Sequence, residues 1–372
     1  MRLPRTPQAL VGHRRHPVAE SRSGDLPAAL HGPKLRKGLI RVLLFAAVVV
    51  ALIVALPGLG SIRSRLAHGN GAWLGLAACF RFSSALAYVF LFRAIFAPRM
   101  SFRLNYQIGM SEIGLNALVP AGGAGGLATG GWVLHRRGMP TDEVIDRSAQ
   151  FFVFTSAFNV GAVALLGWLG AIGLVPSHGS VALSAVPALG ATILIALAVA
   201  LVPRLAGLKA RQAKQREHSW RWWLLELAVA LGTGARGAIK LFRERDPRAL
   251  AAGAAYLFFD IAALWASVRA FHGQPELQPL AMAYLIGQLA GEIPVPGGLG
   301  AVDGGLIGAL VLYGLPVTVA TAGALAYRAI ALGVPAVFGG LAAVGLTHTI
   351  REWDRNDPVG SGTVAAAGDI AQ

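Results

Sequence analysis

The sequence predicts an all-α polytopic membrane protein, with about six full spans plus two re-entrant helical hairpins arranged as an inverted repeat. Three observations predict it. Of 372 residues, 55% are hydrophobic and only 14% charged, with a mean hydropathy of +0.58, which is membrane composition. Two long apolar segments, 105–134 and 280–313, are each interrupted by proline and clustered glycine. Lysine and arginine concentrate in alternate polar stretches, as loops on one side of a bilayer do.

The elements follow in chain order. Residues 1–38 are polar and basic with no periodic apolar face, so they read as a disordered cytoplasmic tail, too long and basic for a plain signal peptide. Spans are expected at about 39–59, 72–97, 149–171, 182–203, 249–270 and 317–346, the first of them roughly the 20 residues that a bilayer core needs. Within them Arg93 can snorkel to the interface. Arg81 lies deeper and leaves snorkelling and a functional role both open. Residues 222–235 are apolar but too short to cross. With Trp220, Trp222 and Trp223 at their start and basic residues on both sides, they read as an interfacial helix within the basic linker 204–248. Residues 347–372 form a polar C-terminal tail.

The interrupted segments carry the chemistry. In 280–313, Pro294 and Pro296 remove backbone donors and Gly297, Gly298 and Gly300 favour a turn, with Glu292 and Asp303 on either side. In 105–134, Glu112 and Asn116 precede Pro120 and the run Gly122, Gly123, Gly125 and Gly126. Irregular backbone is not viable against lipid, so both breaks must be buried in protein or line a wet cavity. Tyr284, Gln288 and Glu292 share one helical face, and so do Asn105, Glu112 and Asn116. Asp260 and Arg328 fall near the middle of later spans. Each such charge costs roughly 2.5–3.5 kcal/mol on insertion scales, which makes it a binding-site candidate. Asp303 or Glu292 could neutralise Arg328, or Arg328 could meet an anion. The glycine spacings 122/126, 126/130, 300/304 and 304/308 read as close helix packing.

Charge sets the topology. If each interrupted segment returns to its own side, the N-tail, 98–104, 135–147, 204–248 and the C-tail share the cytoplasmic side. The outer loops 60–70, 172–181, 271–279 and 314–316 then hold only Arg63 and Arg65. Residues 39–171 and 182–346 become two units of one layout in opposite orientation. Both hairpin tips would then approach the midplane from opposite faces.

Several classes are set aside. The net charge of +15 sits beside spans, so it reads as an orientation signal and anionic-lipid contact, not nucleic-acid binding. GAGGLA at 123–128 has no preceding strand, and no GxxxxGK[ST], HExxH or nucleophile–base pattern is present, so neither a cofactor nor catalysis is expected. His13 and His16 lack metal-ligand partners. Cys79 stands alone and forms no intramolecular disulfide.

The pattern EIPVPGGLGAVDGGLIGALVLYGLP (292–316), then AYRAI (326–330) and Pro335, resembles the flippase-like transmembrane domain of the lysylphosphatidylglycerol synthases, the multiple peptide resistance factor type, and its stand-alone relatives. NALVPAGGAGGLATGGWVLHRRGMP (116–140) resembles that family's earlier block. The likeness covers about 39–346. It implies a plasma-membrane protein that moves or presents a polar lipid, with Glu292, Pro296, Gly297, Gly298, Gly300, Asp303 and Arg328 lining the site. The full candidate substrate-binding set adds Glu112, Asn116, Gly122, Gly123, Asp260 and Gln288. The chain ends after the last span, so the aminoacyl-transferase domain and lysyl-lipid synthesis are not expected. Many relatives place an arginine and an acid after the first proline, where this chain has GGAGG. The expected ligand is an anionic phospholipid or a polyprenyl-phosphate lipid, and the expected protein partner a second copy or a lipid-modifying enzyme. The alternatives are a non-transporting scaffold for such an enzyme and an ion-coupled transporter of a small solute.

Overall fold

A computed structural model describes residues 68–96, 100–118, 124–175, 181–212, 236–239, 242, 246–291 and 299–356. The expected first span, the interfacial helix at 222–235 and most of both tails lie outside these residues. Nine long helices are described: α1 (Gly71–Ile95), α2 (Phe102–Leu118), α3 (Ala124–Arg136), α4 (Thr141–Ala171), α5 (Val181–Gln212), α6 (Pro247–Arg269), α7 (Leu277–Gly291), α8 (Leu299–Leu312) and α9 (Val317–Asn356). No strand occurs among the described residues. Among the described residues, five helices are long and apolar enough to cross a membrane: α1, α4, the Val181–Ala200 part of α5, α6, and Val317–Trp353 of α9. They fall where five of the six spans are expected.

The helix ends follow local chemistry. Asn70 caps α1, its side-chain oxygen accepting from the Ala72 amide at 2.9 Å and the Trp73 amide at 3.4 Å. Asp246 caps α6 in the same way, accepting from the Arg248 amide at 2.9 Å, with Pro247 at the start of the helix. Asp142 and Glu143 open α4, where the helix dipole favours negative charge, and the helix therefore begins earlier than the apolar run that predicts it. α9 likewise continues ten residues past 346, into the polar stretch expected to be tail.

Each interrupted segment is two short helices folded against each other. α2 packs on α3 across 119–123, and α7 packs on α8 across 292–298. A Cβ on Gly130 would touch the Glu112 carboxyl and Ile108, and one on Gly287 would come within 3.1 Å of Leu306. Leu104, Ile108, Val133 and Leu134 share a buried cluster with Leu91, Phe96, Phe151 and Leu346. Leu280, Leu285, Leu306, Leu310 and Tyr313 belong to a second cluster with Leu264, Val268 and Val319.

Cross-links tie each end together. At one end Arg147 donates to the Ile95 and Phe96 carbonyls, both at 2.7 Å, and the Arg137 guanidinium lies over Trp353. At the other, the Asn70 amide donates to the Ala270 carbonyl, Gln278 donates to the Leu166 carbonyl and Ser184, and the Tyr313 hydroxyl donates to the Leu183 carbonyl. The first end holds Arg93, Arg103, Arg136, Arg137, Arg147, Arg248, Arg351 and Arg355; among the described residues the second holds Arg269. Among the described residues, the ends of α1, α3 and α9 and the start of α4, where basic residues cluster, thus lie together.

Packing corrects one expectation. Gly304 and Gly308 have nothing within 4 Å of a built Cβ among the described residues, so this GxxxG pair does not mediate close packing there. The close approach lies between Gly114 of α2 and Gly339 of α9, where a Cβ on Gly114 would sit 2.6 Å from the Gly339 Cα. These glycines are unremarkable in sequence, because backbone contact between helices leaves no local spacing signal. Large apolar side chains such as Phe90, Phe152, Leu165, Phe258 and Leu341 face outward, as bilayer-embedded helices require.

Candidate functional site

A central cavity of about 340 Å³ lies among α1, α2, α6, α7, α8 and α9. Its floor is a buried ion pair: Arg81 Nη1 donates to Asp260 Oδ1 at 2.6 Å, and the two side chains are 13% and 4% exposed. The Tyr284 hydroxyl donates to Asp260 Oδ2 at 2.6 Å, and Gln288 Nε2 donates to the Tyr284 hydroxyl at 3.1 Å. Arg81 also donates to Ser84, which in turn donates to the Tyr256 carbonyl. The Tyr284 and Tyr327 rings meet edge to face, with centroids 6.2 Å apart. α1 and α6 thus hold the ion pair, and α7 holds the polar stripe that reaches it.

Asn116, Ile113 and Ala117 of α2 form one wall, and Arg328, Ala331, Leu332 and Pro335 of α9 form another. Pro335 has no N–H, so the Ala331 carbonyl loses its intrahelical donor, and both residues line the cavity. Arg81 Nε is buried and makes no hydrogen bond among the described residues, so the guanidinium keeps a donor in reserve beside the cavity. The site can therefore offer guanidinium, amide and phenol donors to an anionic or polyhydroxylic group in surroundings shielded from water.

Of the sequence-predicted set, the cavity brings together Asn116, Asp260, Gln288 and Arg328. Glu112 is buried at 2% exposure but stands behind the wall, next to Tyr88, and its Oε2 finds no hydrogen-bond donor among the described residues. Gly122, Gly123, Glu292, Pro296, Gly297 and Gly298 lie outside the described residues. Gly300 and Asp303 fall in the first turns of α8. Asn105 is spent locally, donating to the Met100 and Ser101 carbonyls.

Sequence reasoning left Arg81 undecided and passed over Tyr88, Tyr256 and Tyr327. A signal was present. These tyrosines fall mid-helix instead of at the membrane interfaces that tyrosine favours, and Arg81 stands ten residues into a span.

The fold and cavity together define a multi-pass helical membrane protein with a polar, charged centre. Residues 39–339 match the family described as the lysylphosphatidylglycerol synthase TM region. That match covers most of the chain, and the chain belongs to this family. No curated protein matches it.

Proposed function

We propose that the protein is a lipid flippase or translocase that carries a polar or charged headgroup across the plasma membrane while the acyl chains remain in lipid. The observation that carries this reading is the cavity itself, which sets Arg81, Asp260, Arg328, Asn116 and Gln288 around a headgroup-sized space. Burying such charges is costly in a bilayer, and sites that do so are typically pathways. Substrate binding and transfer are its chemistry in this reading, not bond making. The ligand class is an anionic phospholipid or polyprenyl-phosphate lipid.

Two further features support it. Helices α2, α3, α7 and α8 have 17, 13, 15 and 14 residues. At about 1.5 Å per residue they reach roughly 20–26 Å, short of a hydrocarbon core of roughly 30 Å. They suit re-entrant hairpins, one from each side. The helix contacts also pair under an exchange of units, α1 with α6, α2 with α7, α3 with α8 and α4 with α9. Thus α2 packs on α9 as α7 packs on α4, α3 on α4 as α8 on α9, and α1 on α9 as α6 on α4. An inverted repeat has this property. With the basic end cytoplasmic, both termini are cytoplasmic too.

The test is reconstitution of the full chain in liposomes carrying labelled lipids of both classes. Expected is headgroup translocation above protein-free vesicles for at least one of them. Asp260→Asn and Arg328→Gln should slow it about tenfold or more, the worth of a lost charge-assisted hydrogen bond. No translocation across the lipid panel overturns the reading.

A further inference from the structure

On the outside of the α1–α6 seam, away from the central cavity, lies a second hollow of about 760 Å³. Its walls are Leu86 and Phe90 from α1 and Phe259 from α6, and alanines such as Ala251 and Ala255 hollow it out. Arg93 and Arg248 both stand at its basic end, and no acidic residue lines it among the described residues. The nearby Asp246 carboxylate is engaged in capping α6. Arg93 is half-buried beside the Phe102 ring, and Arg248 is exposed.

Dimensions decide what fits. From Arg93 back to Ser83 the groove follows ten residues of helix, about 15 Å at 1.5 Å per residue. That is half of a hydrocarbon core of roughly 30 Å, one leaflet deep. An apolar channel one leaflet long with paired guanidinium groups at the headgroup level matches a phospholipid standing in its own leaflet. Two arginines without a lining acid favour a headgroup of net negative charge.

We propose that the α1–α6 groove is a binding site for one anionic phospholipid, acyl chain along Leu86, Phe90 and Phe259 and phosphate between Arg93 and Arg248. The site does not depend on the transport reading: the lipid stays on the outer face of the seam whose inner face lines the cavity. It would brace the α1–α6 pair, the most extensive helix contact among the described residues.

The full chain is purified in a mild detergent and titrated with phosphatidylglycerol or phosphatidylcholine, with bound lipid counted by intact-complex mass spectrometry and thermal unfolding followed in parallel. Expected is one retained phosphatidylglycerol per chain, preferred over phosphatidylcholine, with a raised Tm. Arg93→Gln combined with Arg248→Gln should weaken that preference about thirty-fold, from two arginine contacts. Ala255→Phe, which fills the groove without changing charge, should expel the lipid with the arginines in place. Equal retention of both lipids, or a preference for phosphatidylglycerol unchanged in the double variant, overturns the proposal. So does a wild-type dimer that Ala255→Phe converts to monomer, since the groove is then covered by a second copy. Helical content by circular dichroism verifies that each variant is folded.

Discussion

Arg81 and Asp260 meet at 2.6 Å across a separation of 179 residues, and both are almost sealed from solvent. A buried pair is weak evidence of net stability, but removing one partner strands the other charge. Asp260→Asn or Arg81→Gln alone should therefore cost about 3–5 kcal/mol. Arg81→Gln combined with Asp260→Asn should cost much less than the sum of the single changes. Unfolding of the four proteins in one detergent gives the coupling; additive losses would mean that the pair is not coupled in the folded state. Tyr284→Phe removes only the hydroxyl that donates to Asp260. It should cost about 1–3 kcal/mol, because the carboxylate keeps its guanidinium. At this scale Asp260, Gln288, Asn116 and Arg328 were legible because polar residues are expensive in an apolar run. Arg81 stayed ambiguous because its partner is on another helix, and a long side chain can also snorkel.

Among the elements, the crossing of α2 and α9 is the tightest backbone approach, and it presses Gly114 against Gly339 and the Pro335 carbonyl. A side chain there cannot be accommodated by rotamer change, since backbone stands opposite. Gly114→Val or Gly339→Val should destabilise by about 1–3 kcal/mol or more through overpacking. It should also move the Asn116 wall of the cavity. Gly304→Val and Gly308→Val should be nearly neutral, within about 0.5 kcal/mol, because nothing among the described residues faces them within 4 Å. Detergent thermal stability of the four variants checks both halves; comparable losses at all four would show that the α8 glycines are packed after all. Spans and breaks were readable from the sequence because a bilayer imposes length and proline–glycine clusters stop helices. Which glycines touch was not, because GxxxG spacing records a capacity for close approach and carries no information about the neighbour. Nor did the apolar run of α4 reveal its true start, which Asp142 and Glu143 set through the helix dipole.

For the whole molecule, the decisive property of the proposed arrangement is that basic and non-basic loops occupy opposite ends while each interrupted segment begins and finishes at one end. The pattern was legible because charge asymmetry is a property of the whole chain that does not require knowing any contact. The cavity was not, since it is built from six helices whose meeting depends on packing. The arrangement makes a prediction specific to re-entry. In a Cys79→Ala background, single cysteines at Arg103 and Arg137 bracket the first hairpin, and those at Glu276 and Gly314 bracket the second. An impermeant maleimide added to intact cells should label Glu276→Cys and Gly314→Cys, while Arg103→Cys and Arg137→Cys react only after permeabilisation. If either interrupted segment crossed fully, the two cysteines bracketing it would behave oppositely, and every loop beyond it would invert. Labelling of positions 103 and 276 alone, or 137 and 314 alone, would therefore replace two hairpins by two crossings. Because Arg147 at the start of α4 donates to the Ile95 carbonyl at the end of α1, reversal of the whole chain would expose 103 and 137 together. The four positions thus separate hairpin from crossing independently of which end is cytoplasmic.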